Sequence, residues 1–193
     1  MIRKMFFLLI LLPVVLLSQE LLLPDPVNYV SDFANVLTDN EEAVLNNILS
    51  EYESRTTIEI AIVTVESLQG YEIEEYSIRL AQKWKVGKAP DNNGLIILNS
   101  ILDRDVRIEV GYGLEGYFTD AYTKMLITKQ MLPKLQSENY FLAYKTVIEE
   151  ITQFTGDSGD ADKERLRREN EDAKNTSVLI ILLVIKLLLV LLI

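Results

Sequence analysis

Between Thr57 and Val65, apolar and β-branched residues fill both alternating sets of positions, with Ile58, Ile60, Ile62 and Thr64 on one side and Glu59, Ala61, Val63 and Val65 on the other. A strand with so little polar character on either face is covered on both sides. Gly94 to Ser100 is an almost continuous apolar run through Leu95-Ile96-Ile97-Leu98 and predicts a central strand. Asp103-Arg104 supplies a turn, and the alternation of Asp105 to Val110 predicts a third strand returning antiparallel to the second.

Helical spacing surrounds these strands. Val44, Leu45, Ile48, Leu49 and Tyr52 recur behind a cap at Thr38 or Asp39, with Glu41 and Glu42 in the first turn. A second helix is predicted over Tyr71 to Lys85 from Ile73, Tyr76, Ser77, Leu80, Ala81 and Trp84, with Gly87 as its stop. A third runs from about Thr119 to Gln130 with a break at Pro133, and a last amphipathic helix runs from about Asn139 to Phe154. Ahead of them all, Leu21 to Leu37, with Pro24 and Pro26, reads as an extended lead-in packed onto the domain. The order predicts an α/β fold: a three-layer α/β/α sandwich with a mixed, mostly parallel sheet, an antiparallel hairpin and a right-handed crossover.

Both ends depart from this globular pattern. Met1 to Ser18 opens with Arg3 and Lys4, continues as an apolar run and reaches Ser18 before Gln19-Glu20, the layout of a secretory signal peptide cleaved after Ser18 or, because Leu16 stands where a small residue is preferred, of an uncleaved N-terminal anchor. Ser177 to Ile193 is apolar except for Lys186, and a helix of that length rises about 25 Å, enough to span a bilayer thinly. Residues 156–176, rich in Asp, Lys, Glu and Arg with no apolar stripe, read as a polar stalk. The expected organisation is therefore a signal peptide (1–18), one α/β domain (27–155), a stalk (156–176) and a transmembrane helix (177–193). Translocation started by the signal would leave the domain on the extracytoplasmic, periplasmic side of the cell membrane, held by a single pass.

Composition narrows the chemistry. The chain has neither Cys nor His, which removes disulfides, the usual zinc sites and nucleophiles activated by His. Any metal must be bound by oxygen. From Glu20 to Thr155 there are 22 acidic and 11 basic residues, a formal charge of about −11. Nucleic acid, which needs a basic footprint, is a poor partner, and a cation is a better one.

The hairpin sets the candidate site. Its antiparallel return places the segment entering the second strand, Lys88 to Gly94, beside the segment leaving the third, Gly111 to Gly116, and the end of the first helix at Arg55-Thr56 arrives at the same place. Asp91, Asn92, Asn93, Glu115 and Asp120 are thus oxygen donors on neighbouring loops, a set suited to Ca²⁺ or Mg²⁺. Asp and Asn are equally common turn formers, and Glu115 is also placed to cap the next helix. Arg107 lies on the opposite strand face from Ile108 and Val110, where it either neutralises carboxylates, meets an anionic substrate or is simply solvated.

The segments Val30-Ser31-Asp32-Phe33-Ala34-Asn35-Val36-Leu37, Trp84-Lys85-Val86-Gly87, Asn93-Gly94-Leu95-Ile96-Ile97-Leu98 and Arg107-Ile108-Glu109-Val110-Gly111-Tyr112-Gly113-Leu114-Glu115-Gly116, followed by Thr119-Asp120, resemble the TPM domain family. The resemblance covers roughly Val27 to Thr155. It implies an extracytoplasmic α/β/α sandwich between a signal peptide and a membrane segment, and activities ranging from calcium binding and receptor modulation to phosphatase action. Asp32, Asp91, Asn93, Glu115 and Asp120 are the acidic or amide positions within the matching motifs, and the resemblance makes them the implied metal ligands. Two functional expectations follow: a tethered binding or assembly module for membrane-protein complexes that holds a divalent cation, calcium before magnesium, or a metal-assisted phosphatase acting on phosphate monoesters. A third is a structural domain whose acidic loops are ordinary turns.

Overall fold

The structure, a computed structural model, describes residues 21–87 and 90–156. The expected signal peptide, the stalk beyond Gly156 and the expected transmembrane helix lie outside the described residues. Among the described residues no helix is long and apolar enough to cross a membrane.

Four strands form one mixed sheet in the order β1 (Val30–Asp32), β2 (Glu59–Val65), β3 (Gly94–Ser100) and β4 (Asp105–Val110). β1 pairs parallel to β2, β2 parallel to β3, and β3 antiparallel to β4. The hairpin boundaries are those the sequence predicts. The lead-in, however, contributes a fourth strand: Val30, Ser31 and Asp32 pair with Ile62, Val63 and Thr64. Three residues are too few for alternation to announce a strand.

Helix α1 (Asp39–Thr56) begins with a capping box, in which the Thr38 hydroxyl accepts the Glu41 N–H and the Glu41 carboxylate accepts the Thr38 N–H. It ends at Thr57, whose φ of 65° is left-handed, so β2 starts two residues later than the alternation from Thr57 predicts. Helix α2 (Ile73–Trp84) stops in the same manner at Lys85, φ 57°.

Past β4 the chain makes a 3-10 turn (Tyr112–Leu114) and enters α3 (Asp120–Met125), a π-helical stretch (Leu126–Met131) and α4 (Leu132–Leu135). The expected break at Pro133 does not occur. Proline lacks an N–H and its ring crowds the carbonyl four residues back, and the wider π turn just upstream accommodates both. Side chains take up carbonyls there: Thr128 Oγ1 donates to Lys124 O at 2.8 Å and Lys134 Nζ to Gln130 O at 2.8 Å. The last helix, α5, spans Tyr140–Gly156.

Strand alternation sends side chains into two separate cores. Ile60, Ile62, Leu95, Ile97 and Ile108 face Leu45, Leu49, Leu126, Tyr144, Val147 and Ile151 from α1, the π stretch and α5. On the other side Ala61, Val63, Ile96 and Leu98 meet Ile73, Tyr76 and Leu80 of α2. Leu21 and Leu23 extend this second layer, fastened by Trp84 Nε1 to Pro24 O at 2.8 Å and Lys83 Nζ to Leu23 O at 2.7 Å. The arrangement is a mixed sheet with helices on both faces, in agreement with the expected α/β class.

Arg107 is half-buried and held by carboxylates. On the α2 side of β4 it reaches Glu109 at 2.9 Å, Ser77 Oγ at 3.1 Å and Glu74 at 3.4 Å, tying the edge strand to the helix.

Burial raises the pKa of Tyr52, Tyr76 and Tyr144 above the ordinary tyrosine value of 10.0, most strongly for Tyr144, whose hydroxyl accepts from Asn99 Nδ2 at 2.8 Å. A raised folded-state pKa gives stability that is complete below the unfolded value and is lost as pH climbs through the folded value. Unfolding free energy is therefore expected to decline once pH exceeds about 10, and the decline should shrink in Tyr144→Phe. Denaturant titrations at stepped alkaline pH, with tyrosinate absorbance as the second readout, check this.

Candidate functional site

The hairpin closes its open end with backbone contacts. Gly111 N–H donates to Gly94 O at 2.7 Å, and Gly113 N–H donates to Asn92 O at 3.1 Å. A Cβ on Gly113 would stand 1.9 Å from Asp91 O, and one on Gly111 would stand 2.3 Å from Asn92 O. The two loops thus touch main chain to main chain, an approach only glycine permits.

Helix α1 arrives at the same end. Asn93 Nδ2 donates to Thr57 O at 2.5 Å, and Glu59 N–H donates to Asn93 O at 3.1 Å. Thr57 is a β-branched residue held in the left-handed region, a conformation that costs about 1–3 kcal/mol and must be maintained by its surroundings. The Asn93 amide is one such constraint. Its orientation is fixed, because only the NH₂ group can face the Thr57 carbonyl. That leaves Asn93 Oδ1 buried with no hydrogen-bond partner among the described residues, a deficit worth about 1–3 kcal/mol.

Beside Asn93 lies a cleft of about 460 Å³ lined by Tyr29, Ser50, Glu53, Ser54, Thr57, Asp91 and Asn93. Tyr29 enters from the start of β1, where its carbonyl accepts the Ile62 N–H, and its phenol donates to the Glu53 carboxylate in a short hydrogen bond. That bond, followed by burial and the Glu53 charge, holds the Tyr29 phenol above the ordinary tyrosine pKa. The polar side-chain atoms of this lining are oxygens apart from the Asn93 amide nitrogen, which is already committed to Thr57.

The five residues singled out from the sequence do not converge. Asp91 and Asn93 share the cleft. Glu115 is exposed on the loop that touches Asp91, just after the 3-10 turn, and does not cap the next helix; Thr119 does, accepting the Tyr122 N–H. Asp120 is the exposed first residue of α3. Asp32 lies at the other end of the sheet, where its carboxylate accepts the Thr64 hydroxyl and the Leu37 N–H at 2.7 Å. Thr64 is five residues along β2 from Glu59, the partner of Gly94, which corresponds to about 17 Å. Among the described residues, no three acidic side chains gather into a metal-ligand group.

Sequence reasoning brought the end of α1 to this place but missed Ser50, Glu53 and Ser54 as lining residues. The polar density of Ser50-Glu51-Tyr52-Glu53-Ser54 in the last turns was the available signal. Nothing local marks Tyr29, whose position depends on β1 pairing.

The sequence profile of the TPM domain matches residues 30–154. The chain belongs to the TPM domain family. Among solved structures this TPM domain is similar to the N-terminal domain of a P. gingivalis protein determined by solution NMR, with 33% identity and a TM-score of 0.64 over 69% of this chain and 85% of that one. It also shares its fold with the N-terminal domain of a Corynebacterium glutamicum protein (16% identity, TM-score 0.53, 74% of this chain and 88% of that one). A protein from the psychrophilic bacterium Bizionia argentinensis shares it as well (16%, 0.53, 61% and 83%). No curated protein matches.

The glycine contacts give a direct test of how the TPM loops are held. Gly113→Ala is expected to force the 91–93 and 111–115 loops apart, lowering the melting temperature by several degrees and shifting the Asp91 to Gly94 amide resonances. Gly116→Ala, where nothing lies within 4 Å of the new Cβ, is expected to leave both unchanged. Equal effects from the two substitutions would contradict the close approach.

Proposed function

We propose that this protein is a membrane-tethered, extracytoplasmic TPM domain that works as a binding and assembly module, holding a divalent cation in the cleft between the end of α1 and the 91–93 loop. The observation that carries the reading is the cleft lining itself, in which the Asp91 and Glu53 carboxylates stand with the hydroxyls of Tyr29, Ser50, Ser54 and Thr57. Such a set suits Ca²⁺, which takes irregular shells of carboxylate, amide and hydroxyl oxygen, better than Mg²⁺, which demands a tight octahedron and sheds water reluctantly. The described lining residues are acidic or neutral, and this favours a cation over a phosphate monoester.

Affinity follows from ligand charge. Among the described residues two carboxylates line the cleft, and Glu53 already accepts from Tyr29, so binding belongs in the range of extracellular modules, about 0.1–1 mM. Glu115, on the adjoining loop, adds negative potential. Asp32 and Asp120 take no part, the first as an acceptor inside the fold and the second as a favourable charge at a helix start.

The tether reading rests on the apolar ends of the sequence. The Thr155 hydroxyl is hydrogen-bonded to that of Tyr52 at 2.6 Å, so α5 ends near the C-terminal part of α1.

Calorimetric titration of residues 21–156 with CaCl₂ is expected to give saturable binding near millimolar concentration, with NMR shifts at Asp91 to Gly94, and severalfold weaker binding in Asp91→Asn. Absence of heat and of shifts would sink the cation reading. Separately, the full chain should stay in the membrane pellet after a carbonate wash and be released when truncated before Ser177.

A further inference from the structure

The cleft is far larger than the coordination shell of a bare ion. At about 460 Å³ it falls in the range of sites that enclose a small organic group or a side chain, about 300–1,000 Å³. Its acceptors are also spread over three separate segments: Tyr29 ahead of β1, Ser50, Ser54 and Thr57 around the end of α1, and Asp91 before β3. No group of three acidic side chains draws them together among the described residues. Dispersed acceptors on the walls of a roomy cleft match a ligand that carries several N–H donors on one head group. A helix C-terminus at the wall, with its partial negative charge, adds to that preference.

A second observation concerns the loop packed on Asp91. Gly113 packs its backbone on Asp91 O, and the residue before it, Tyr112, is 80% exposed, the most exposed of the large hydrophobic side chains among the described residues. An aromatic ring offered to solvent on the loop that packs against Asp91 provides what a lysine or arginine side chain uses: a surface for its aliphatic stem and a π face for its charge. Interface anchors are drawn from this class of residue.

The geometry points to a basic peptide as the occupant: a lysine or arginine of a partner protein inserts its cationic head between Asp91 and the α1 hydroxyls while its stem lies along Tyr112. This rests on the reading of this end of the sheet as a binding site and names the class of partner that the module assembles with. The charge of the chain, −10 overall, agrees in sign with a basic partner.

The test uses the full chain in detergent micelles and a fluorescein-labelled tetralysine peptide, read by anisotropy. Wild type is expected to bind saturably, Asp91→Asn about tenfold more weakly and Tyr112→Ala about threefold more weakly. Glu72→Gln, which makes the same charge change at the start of α2, should stay within twofold of wild type. The Nε-acetylated tetralysine peptide should not bind.

Equal weakening by Glu72→Gln and Asp91→Asn would overturn the proposal, since the attraction would then be the undirected field of an acidic protein. Binding of the acetylated peptide would overturn it too. Preferential binding to vesicles containing phosphatidylethanolamine, with none to tetralysine, would assign the cleft to a lipid ammonium and overturn the peptide reading. Calcium titration of the same samples separates this proposal from the cation site. Calcium binding without peptide binding removes the peptide and leaves the ion, and the converse leaves the peptide alone.

Discussion

The antiparallel pairing of β3 with β4 is the constraint on which the functional end of this protein depends. β3 is an inner strand, buried along its whole length, and its register with β4 runs from Leu95 opposite Val110 to Ser100 opposite Asp105. Because that ladder is fixed, the chain entering β3 and the chain leaving β4 have no choice but to meet. Glycine decides how closely. With hydrogen atoms in place of side chains at positions 111 and 113, the ladder continues past the last strand residue as two further backbone hydrogen bonds, to Gly94 O and Asn92 O. The loop carrying Asp91 and Asn93 is therefore held against a rigid partner and does not wander over the surface.

The same end is held from its other side by α1. The chain leaves that helix through a threonine in a left-handed conformation, and the Asn93 side chain clamps the threonine's carbonyl. One amide thus joins the end of a helix to the start of the central strand. The consequence for binding is that its second polar atom, Oδ1, is left without a partner in a position where surrounding protein excludes water. The strained threonine and the partnerless amide oxygen are both local costs, and both sit beside the cleft. Such costs collect at binding sites elsewhere in proteins.

Much of this was legible in the residues. Alternation from Ile58 to Val65 and the apolar run after Gly94 located the inner strands, and the Asp103-Arg104 turn gave the hairpin and hence the meeting of the two loops. Thr38 and Glu41 marked the start of α1 through a local capping signal. What escaped depended on distant partners. Val30 to Asp32 becomes a strand only because β2 offers an edge, and Tyr29 comes to the cleft with it. The π stretch before Pro133 reflects a compromise between a proline and a helix held by α5 on its far side, which no short window reveals. Asp32 matched a family motif, yet its carboxylate is spent on Thr64 and Leu37, organising the turn out of β1. A motif match alone does not separate a ligand from an acceptor that shapes the backbone.

The cleft depends on the backbone contact between the two loops, and amide hydrogen exchange reads it directly. If the ladder extends beyond β4 as described, the Gly111 and Gly113 amides exchange slowly, with protection approaching that of the β3 and β4 amides. Exchange of both at the rate of an unprotected peptide, while the strands themselves remain protected, would show the loops to be apart and would remove the cleft on which the proposed binding depends.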